Sequence, residues 1–493
     1  MKRPLLALTL ALMLLVAGCN TATQDTSTTI EDTEAATSTA TTVQTTTTAT
    51  QTPTATQTTT SEPAKESCEY SGQGDDDIVQ ESGVCLGFDA DQVYRNILEM
   101  TGSNVTQGPS IQSKSPEQTT PYTFDQFGFS NQSFQAVMGI APEGTPSVYV
   151  AGYAQPQMNP DGGVEVNVVM RYIAKQDGSP APGRTQNASE AEVTAAHEFL
   201  HAVQFYQGSQ DRLASNLRSD GVNLANVETS LIEGSAVYFE SEYQERYMGK
   251  EAASRSVESW ANSSAFSMYT LGPYVMGERY TKFRVNSTAE FEKLYDNPAV
   301  TMEQIMHNKM PDEDLPKNLT VEQGSDSVWN QYSKSTKGEL FLRSSLRAEV
   351  SGELAAAGAE GWGADRLMQF QNTSYAESYK YGYGWTVRFD NASEKEEFVD
   401  IYQQWLDNRG TEQNGVYAMD EEHNYRMVDI DSETVVILAG HENFVTQATA
   451  TGNNSHVTIT MTDSKQAGSV QADDDGEDTR VVVDQQAATR VVA

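Results

Sequence analysis

The chain has 493 residues, more than one compact domain usually holds, and its 69 acidic residues outnumber its 32 basic residues to give a net charge of −37. Such a charge argues against nucleic-acid binding and against docking to anionic lipid, because both contacts require clusters of Lys and Arg. Hydrophobic residues make up only 38% of the chain, so we expect a sizeable part of it to lie outside the folded core.

The acidic residues are spread along the whole chain, and Lys is rarer than Arg. A surface of this kind stays soluble when salt screens its charge repulsion. It is typical of a halophilic protein, and we expect a salt-loving archaeon as the source. An ordinary acidic secreted protein is the alternative.

Residues 1–19 have the pattern of a lipoprotein signal peptide. Lys2 and Arg3 precede an apolar run that is short for a membrane span, and the run ends at Val16-Ala17-Gly18-Cys19. That ending resembles a lipobox, so we expect Cys19 to become a lipidated N-terminus on the extracellular face of the cell membrane. The lipid would be the only membrane anchor. A plain signal peptide with a coincidental cysteine is the alternative.

Residues 20–65 are almost entirely Thr, Ser, Ala, Gln and acidic residues, which predicts a disordered stalk. The two remaining cysteines, Cys68 and Cys85, suggest a disulfide at the start of the folded part in an exported chain. A glycoprotein is also indicated by the dense Thr of the stalk and by nine N-x-S/T sequences. Their acceptors are Asn104, Asn131, Asn187, Asn262, Asn286, Asn318, Asn372, Asn391 and Asn453.

Residues 147–153 and 164–170 alternate or are rich in β-branched side chains, and a Pro- and Gly-containing turn separates them. This pattern predicts a β-hairpin. The edge of such a hairpin could bind a peptide substrate by strand addition. An equally weighted alternative is that the strands only support the helix that follows.

Residues 197–201 read HEFLH, an instance of H-E-x-x-H in a chain that has only 6 histidines. On a helix, His197 and His201 lie one turn apart on the same face, where two imidazoles can bind one Zn²⁺. Glu198 beside them can accept a proton from zinc-bound water. A buried helix that carries two histidines by chance is the alternative.

The helix that carries HEFLH is predicted over residues 189–206. Ser189 and Glu192 have the spacing of a capping box, and Gly208 is a candidate C-cap. Apolar residues surround the helix almost completely, which predicts that it is buried. A second helix, over residues 227–247, contains Leu231-Ile232-Glu233-Gly234-Ser235-Ala236.

H-E-x-x-H followed by a helix with E-G-x-A is similar to the gluzincin branch of zinc metallopeptidases. More closely, six stretches of this chain resemble, in order, segments of a group of prokaryotic secreted zinc metallopeptidase-like proteins. The stretches are AHEFLHAVQ, LIEGSA, Gly272-Pro273-Tyr274, the segment TMEQIMH that ends at His307, and Trp362-Gly363-Ala364-Asp365-Arg366 with Trp385-Thr386-Val387-Arg388-Phe389-Asp390. The resemblance covers roughly residues 190–410.

The resemblance implies a zinc cofactor bound by His197, His201 and Glu233, together with hydrolysis, but it implies no particular substrate. Glu228, Glu240 and Glu242 share the second helix and are alternative third ligands. Departures from the pattern are Met302 and Asn308 in the TEQxLH-type segment, Phe389 at the second Trp, and Val237 where gluzincins often have an Asp that orients a zinc histidine.

Two roles remain to be filled around such a metal. Glu240 is our candidate to replace the missing Asp as the partner of a zinc histidine, and a solvated Glu240 is the alternative. His307 is predicted to donate a hydrogen bond to the oxyanion of the reaction, although a structural role for it is also open. Alternative donors are Tyr238, Tyr274 and Tyr280.

We predict an α+β, zincin-like fold with a small antiparallel sheet ahead of a buried HExxH helix and a mostly helical C-terminal lobe with a few added strands. Residues 66–250 would hold the sheet and the zinc helices. Residues 251–463 would form the C-terminal lobe, and residues 464–493 a loose acidic tail.

The predicted function is that of an extracellular, lipid-anchored zinc metalloprotease, a hydrolase that cleaves a peptide or protein substrate by Glu-assisted attack of zinc-bound water. A non-catalytic surface or binding protein with a structural zinc is one alternative, and a zinc amidase acting on cell-envelope material is another. Glu198 favours hydrolysis, because a purely structural site does not need a carboxylate at that position.

Overall fold

The computed structural model describes residues 76–82, 86–114, 133–141, 151–159, 163–171, 187–217, 224–251, 256–324, 328–372, 374–375 and 379–461. The predicted signal peptide, the stalk, Cys19, Cys68, Cys85 and the acidic tail lie outside these residues. Within the described part of the chain, no helix combines the length and the apolar character that a membrane crossing requires.

The described residues form a mixed α+β structure, as predicted. Its helices are α1 (Ala90–Thr101), α2 (Phe134–Val137), α3 (Ala188–Tyr206), α4 (Ser209–Asn216), α5 (Ala225–Tyr247), α6 (Val257–Ala261), α7 (Ala265–Arg284), α8 (Lys293–Asp296), α9 (Met302–Met306), α10 (Glu339–Arg347), α11 (Gly352–Ala357), α12 (Ala392–Arg409) and α13 (Glu442–Gln447). Its strands are β1 (Gln80–Ser82), β2 (Ser110–Lys114), β3 (Gly152–Met158), β4 (Val164–Arg171), β5 (Thr320–Gln323), β6 (Trp329–Ser335), β7 (Trp362–Asn372), β8 (Lys380–Phe389), β9 (Thr411–Gln413), β10 (Val416–Ala418), β11 (Asn424–Asp431), β12 (Thr434–Gly440), β13 (Ala448–Asn453) and β14 (His456–Met461).

The sheet ahead of α3 has the strand order β1-β2-β4-β3. Strands β3 and β4 form the predicted antiparallel hairpin, although β3 begins at Gly152 and the predicted residues 147–150 lie outside the described chain. The sheet as a whole is not antiparallel, because β1 pairs with β2 and β2 with β4 in parallel. Helix α1 connects β1 to β2, and a helical crossover of this kind produces parallel neighbours.

Helix α3, which carries HEFLH, is buried as predicted, and every side chain from Ala195 to Gln204 is buried. Its capping box is not the predicted one. Asn187 accepts a hydrogen bond from the backbone N–H of Glu190, and the Glu190 carboxylate accepts one from the N–H of Asn187. Asn is as strong an N-cap as Ser, so the helix starts at the earlier of the two sequences that could cap it.

Helix α5 packs on α3 and, on another side, against α7 at very short range. A Cβ atom built on Gly234 would lie 2.2 Å from the carbonyl carbon of Gly277, and one built on Gly277 would lie 2.1 Å from the carbonyl oxygen of Ser230. Two glycines therefore allow the backbones of α5 and α7 to touch. Because Gly234 directly follows Glu233, this contact fixes the backbone of α5 next to Glu233.

The C-terminal part differs most from the prediction, because it is not mostly helical. A seven-stranded antiparallel sheet with the order β6-β7-β8-β12-β11-β10-β9 forms its centre, and a three-stranded sheet with the order β13-β14-β5 lies beside it. One face packs on α10 and α12, and the other contributes Met368 and Phe370 to a separate apolar core. The edge strands β6 (WNQYSKS) and β9 (TEQ) are polar or short, so they lack the apolar pattern that identifies a strand in sequence.

Core packing also crosses the predicted boundary between residues 250 and 251. The first apolar cluster runs from Val79 to Leu340 and combines the N-terminal sheet with α3, α5 and α7. In the other direction, Phe134 of α2 lies in the second cluster, with its ring 5.3 Å from that of Phe341 and 5.1 Å from that of Tyr383. The chain therefore enters the C-terminal core before it forms the hairpin.

We expect Gly234→Ala to lower the free energy of unfolding by about 3 kcal/mol or more, since the added methyl meets backbone rather than a movable side chain. Thermal or urea unfolding in high salt measures the loss. Gly272→Ala is the matched control, because its methyl would meet only the flexible end of Leu340, at 2.7 Å. Equal stability of the two variants would contradict the close contact between α5 and α7.

Candidate metal centre

Helices α3 and α5 bring His197, His201 and Glu233 together, and all three side chains are buried. The Nε2 atoms of the two histidines lie 3.2 Å apart. The Oε2 atom of Glu233 lies 3.4 Å from the Nε2 atom of each histidine. The three candidate ligand atoms thus form a nearly equilateral triangle.

This triangle fits zinc. Tetrahedral zinc with bonds of about 2.0–2.1 Å requires its ligand atoms to lie about 3.3–3.4 Å apart. The same distances are long for hydrogen bonds to a carboxylate, which are about 2.7–2.9 Å. Neither carboxylate oxygen of Glu233 has a hydrogen-bond partner among the described residues, although the residue is only 1% exposed. Two imidazoles and one carboxylate are also a donor set that zinc prefers.

Each histidine has a different partner behind it. His201 Nδ1 lies 2.8 Å from Oε1 of Gln204, and the amide nitrogen of Gln204 donates in turn to the hydroxyls of Ser235 and Tyr295. His197 Nδ1 lies 3.5 Å from Oε2 of Glu240, the residue predicted for this role. Sequence reasoning missed the Gln204 group. Its one local signal was the Gln three residues after His201.

Glu198 lies beside the three candidate ligands with its carboxylate turned toward the hairpin. A Cβ atom on Gly152 of β3 would lie 3.2 Å from Glu198 Cγ. Neither carboxylate oxygen has a hydrogen-bond partner of normal geometry among the described residues. Burial raises the pKa of this carboxyl above its ordinary value, while His197, His201 and the nearby backbone of Ala154 lower it. A raised carboxyl pKa suits a group that takes up and releases a proton.

The three ligand side chains balance their charges within the protein. Burial disfavours the charged form of His197, but the neighbouring Glu233 and Glu240 carboxylates raise its pKa to about 10. Burial by itself would raise the pKa of Glu233, but His201 and His197 lower it to about 2. A metal ion that binds here must displace any proton held on the histidine Nε2 atoms, so metal binding should depend on pH.

The predicted oxyanion donor, His307, is not part of the group formed by the three candidate ligands. It follows α9, and its Nε2 lies 2.9 Å from Oε1 of the buried Glu339. This contact supports the structural alternative. Among the alternative donors, Tyr280 accepts a hydrogen bond from Arg284, and Tyr274 clusters with Val237 one turn beyond Glu233.

Two further glutamates of α5, Glu228 and Glu242, are not part of the group of candidate ligands. Glu242 forms an ion pair with Arg246, one turn further along the helix. Burial raises the pKa of Glu228, and its Oε1 lacks a hydrogen-bond partner among the described residues. Tyr238 is buried, and burial and then the Glu242 carboxylate raise its pKa.

The TEQxLH-type segment is built into the junction with the C-terminal sheet. Thr301 caps α9, and the amide of Gln304 donates to the carbonyl oxygens of Pro311 and Glu313. Glu303 is buried near Asp314 and Asp390, and the Lys309 ammonium lies 3.7 Å from its carboxylate. Lys309 and Lys317 already form ion pairs within this acidic group, so we do not assign a metal to it.

The comparisons with known proteins concern the C-terminal part. A family model described as "Domain of unknown function (DUF8575)" matches residues 327–450, which run from β6 into β13 and lie entirely after the candidate ligands. No curated protein matches the chain, and no solved structure matches it. The match covers the residues of the C-terminal sheet and none of the candidate ligands, so the metal centre is judged on its geometry.

We expect Glu303→Gln to stabilise the protein at alkaline pH. Burial and the nearby Glu339 raise the pKa of Glu303 from 4.5 to about 8. The stability that its protonated form contributes is present below pH 4.5 and is lost as the pH rises through 8, because the unfolded state releases this proton first. Relative to wild type, the variant should gain about 4 kcal/mol between pH 4.5 and pH 9.

Urea unfolding at both pH values measures this gain. Glu396→Gln removes the same charge from an exposed site on α12 and is the control. A Glu303→Gln advantage that is the same at pH 4.5 and pH 9 would contradict the raised pKa.

Proposed function

We propose that this protein is a zinc-dependent metallopeptidase, held on the extracellular face of the cell membrane by a lipid at Cys19. One observation carries the proposal: three buried ligand atoms lie at the separations that tetrahedral zinc requires, with the buried carboxylate of Glu198 beside them. Three protein ligands leave one coordination position for a reactant, which distinguishes a catalytic zinc site from a structural one.

Zinc bound by His197, His201 and Glu233 would supply Lewis acidity, which lowers the pKa of water to about 7 and polarises a carbonyl group. Glu198 supplies the proton transfer. Its Oε atoms accept a proton from the attacking water and deliver it to the leaving amine. Burial supports this role, because a carboxylate without hydrogen bonds gains more from taking up a proton than a solvated one does.

The register of the hairpin favours an extended peptide as the substrate. Asn159 N–H donates to Gly163 C=O, and because bonded and non-bonded pairs alternate, the backbone groups of Gly152, Ala154 and Pro156 point away from β4. Pro156, which has no N–H to donate, fits this register. Strand β3 is at the end of the described sheet, beside Glu198. A peptide strand could therefore pair with Gly152 and Ala154 next to the proton acceptor.

Glu198→Gln should leave zinc binding near one equivalent and lower hydrolysis at least about 100-fold, since the amide cannot accept the proton. Zinc content and cleavage of an unfolded protein are measured in high salt, with and without chelator. Glu192→Gln on the same helix is the control and should keep wild-type activity. If wild type binds zinc but shows no chelator-sensitive hydrolysis, the peptidase proposal fails and a structural zinc site replaces it.

Glu233→Ala should reduce bound zinc well below one equivalent, because two histidines alone rarely hold the ion at catalytic sites. Glu228→Ala removes another glutamate from α5 and should retain full occupancy. Zinc content after gel filtration distinguishes the two variants. Full occupancy in Glu233→Ala would remove this residue from the ligand set.

A further inference from the structure

We propose that Gln204 is the positioning residue of the metal centre, and that a chain of neutral hydrogen bonds through Ser235 and Tyr295 sets the tautomer of His201. The inference rests on the proposed zinc site. It concerns how this protein orients His201. Gln204 lies behind that histidine, whereas Glu240, the candidate to replace the Asp missing at Val237, lies beside His197.

The contact between Gln204 and His201 selects one tautomer. The amide oxygen can only accept a hydrogen bond, and it lies 2.8 Å from His201 Nδ1. Nδ1 must therefore carry the hydrogen, which leaves the lone pair of the neutral ring on Nε2. That nitrogen is the atom that lies 3.4 Å from the Glu233 carboxylate and 3.2 Å from His197 Nε2. The tautomer that Gln204 selects is the one that can bind metal.

The orientation of the Gln204 amide is determined by its other neighbours. The hydroxyl of Ser235 donates to the carbonyl oxygen of Ile232 at 2.8 Å. With its hydrogen used there, Ser235 accepts from the Tyr295 hydroxyl at 2.7 Å. Both hydroxyl oxygens then accept from the amide nitrogen of Gln204, at 3.1 Å and 2.7 Å. Every hydrogen in this group has one acceptor, and a flipped amide would lose both of its acceptors.

One backbone carbonyl, that of Ile232, therefore determines the direction of every hydrogen bond in this series. Ile232 directly precedes Glu233, so the helix that supplies the third ligand also determines, through Ser235, which nitrogen of His201 is free. Ser235, Gln204 and Tyr295 are all 0% exposed, so water cannot take over any of these bonds. A network that is buried and fully satisfied holds one geometry.

His197 is supported differently. Its Nδ1 lies 3.5 Å from Glu240, whose side chain is 20% exposed, and that distance is long for a charge-assisted hydrogen bond of about 2.7–2.9 Å. The contact between His201 Nδ1 and Gln204 is shorter, at 2.8 Å, and Gln204 is fully buried. We therefore expect Gln204 to contribute more to metal affinity than Glu240 does.

The test is zinc affinity, measured by competition with a chelator on the full-length protein in high salt. Gln204→Met keeps the size of the side chain and removes the acceptor. Ser235 and Tyr295 remain paired with each other, so the fold should persist. Partners behind a metal-bound histidine typically contribute 10- to 100-fold to affinity, and we expect a loss of about that size. Gln207→Met is the matched control, because that amide donates to Ser103 and does not contact a candidate ligand.

Gln204→Glu separates positioning from packing. A carboxylate retains the acceptor for His201 Nδ1, and both hydroxyls can turn to donate to it, so zinc affinity should equal or exceed that of wild type. If Gln204 only filled space, a buried charge would be the most damaging replacement. The visible spectrum of the Co²⁺-loaded protein provides a second readout, which should change in Gln204→Met and not in Gln207→Met.

Wild-type affinity in Gln204→Met, or a loss in Gln204→Glu as large as that in Gln204→Met, would overturn the proposal. These outcomes are separate from those that concern catalysis. A wild-type protein that binds zinc without hydrolysing peptides would remove the peptidase and leave the role of Gln204 intact. A wild-type protein that binds no zinc would remove the metal centre and this inference together.

Discussion

The carboxylate of Glu233, 1% exposed and without a hydrogen bond among the described residues, is the group around which the structure is arranged. Moving a carboxylate from water into a protein interior costs several kcal/mol unless nearby charges compensate. The compensation comes from His197 and His201 on another helix, which lower the pKa of Glu233 and would share it as a ligand with a bound metal ion. Helices α3 and α5 must therefore pack with a fixed position along each other's axes.

The residues that flank Glu233 explain how this relative position of the two helices is maintained. Gly234 lets the backbone of α7 touch α5, so the ligand cannot move away from the histidines. Ser235 joins the hydrogen-bonded group behind His201, and Ile232 supplies the carbonyl that directs it. Ala236 is fully buried, and a larger side chain there would separate the packed helices. The E-G-x-A sequence thus has a physical reason at each position.

The segments outside the metal helices have a different role. Asp365 accepts hydrogen bonds from the backbone N–H groups of Lys337 and Gly338 and so caps α10, which presents Glu339 to His307. Glu303 lies near Asp390, at the end of β8. These residues join the helical part to the sheet that the family of unknown function describes. Their contacts are those of a junction that keeps α7 and α9 against the metal helices.

Sequence alone determined the features that depend on local spacing. The i, i+4 separation puts His197 and His201 on one face of any helix, and the apolar residues around them predict its burial. It also predicted the hairpin, and it placed Glu233 and Glu240 on the helix that meets the two histidines. It underestimated the C-terminal sheet, whose edge strands β6 and β9 are polar or short, and it did not show that the ring of His307 pairs with a glutamate 32 residues away.

Only the tertiary structure decided which side chains complete the site. The bond between Gln204 and Tyr295 spans 91 residues, and the contact between Gly234 and Gly277 joins two helices whose sequences show no shared pattern. The periodicity of apolar residues predicts which face of a helix or strand is buried, but it does not predict which residues pack against that face. Hydrogen-bond partners and glycine contacts depend on distances between elements, and those distances are set when the whole core packs.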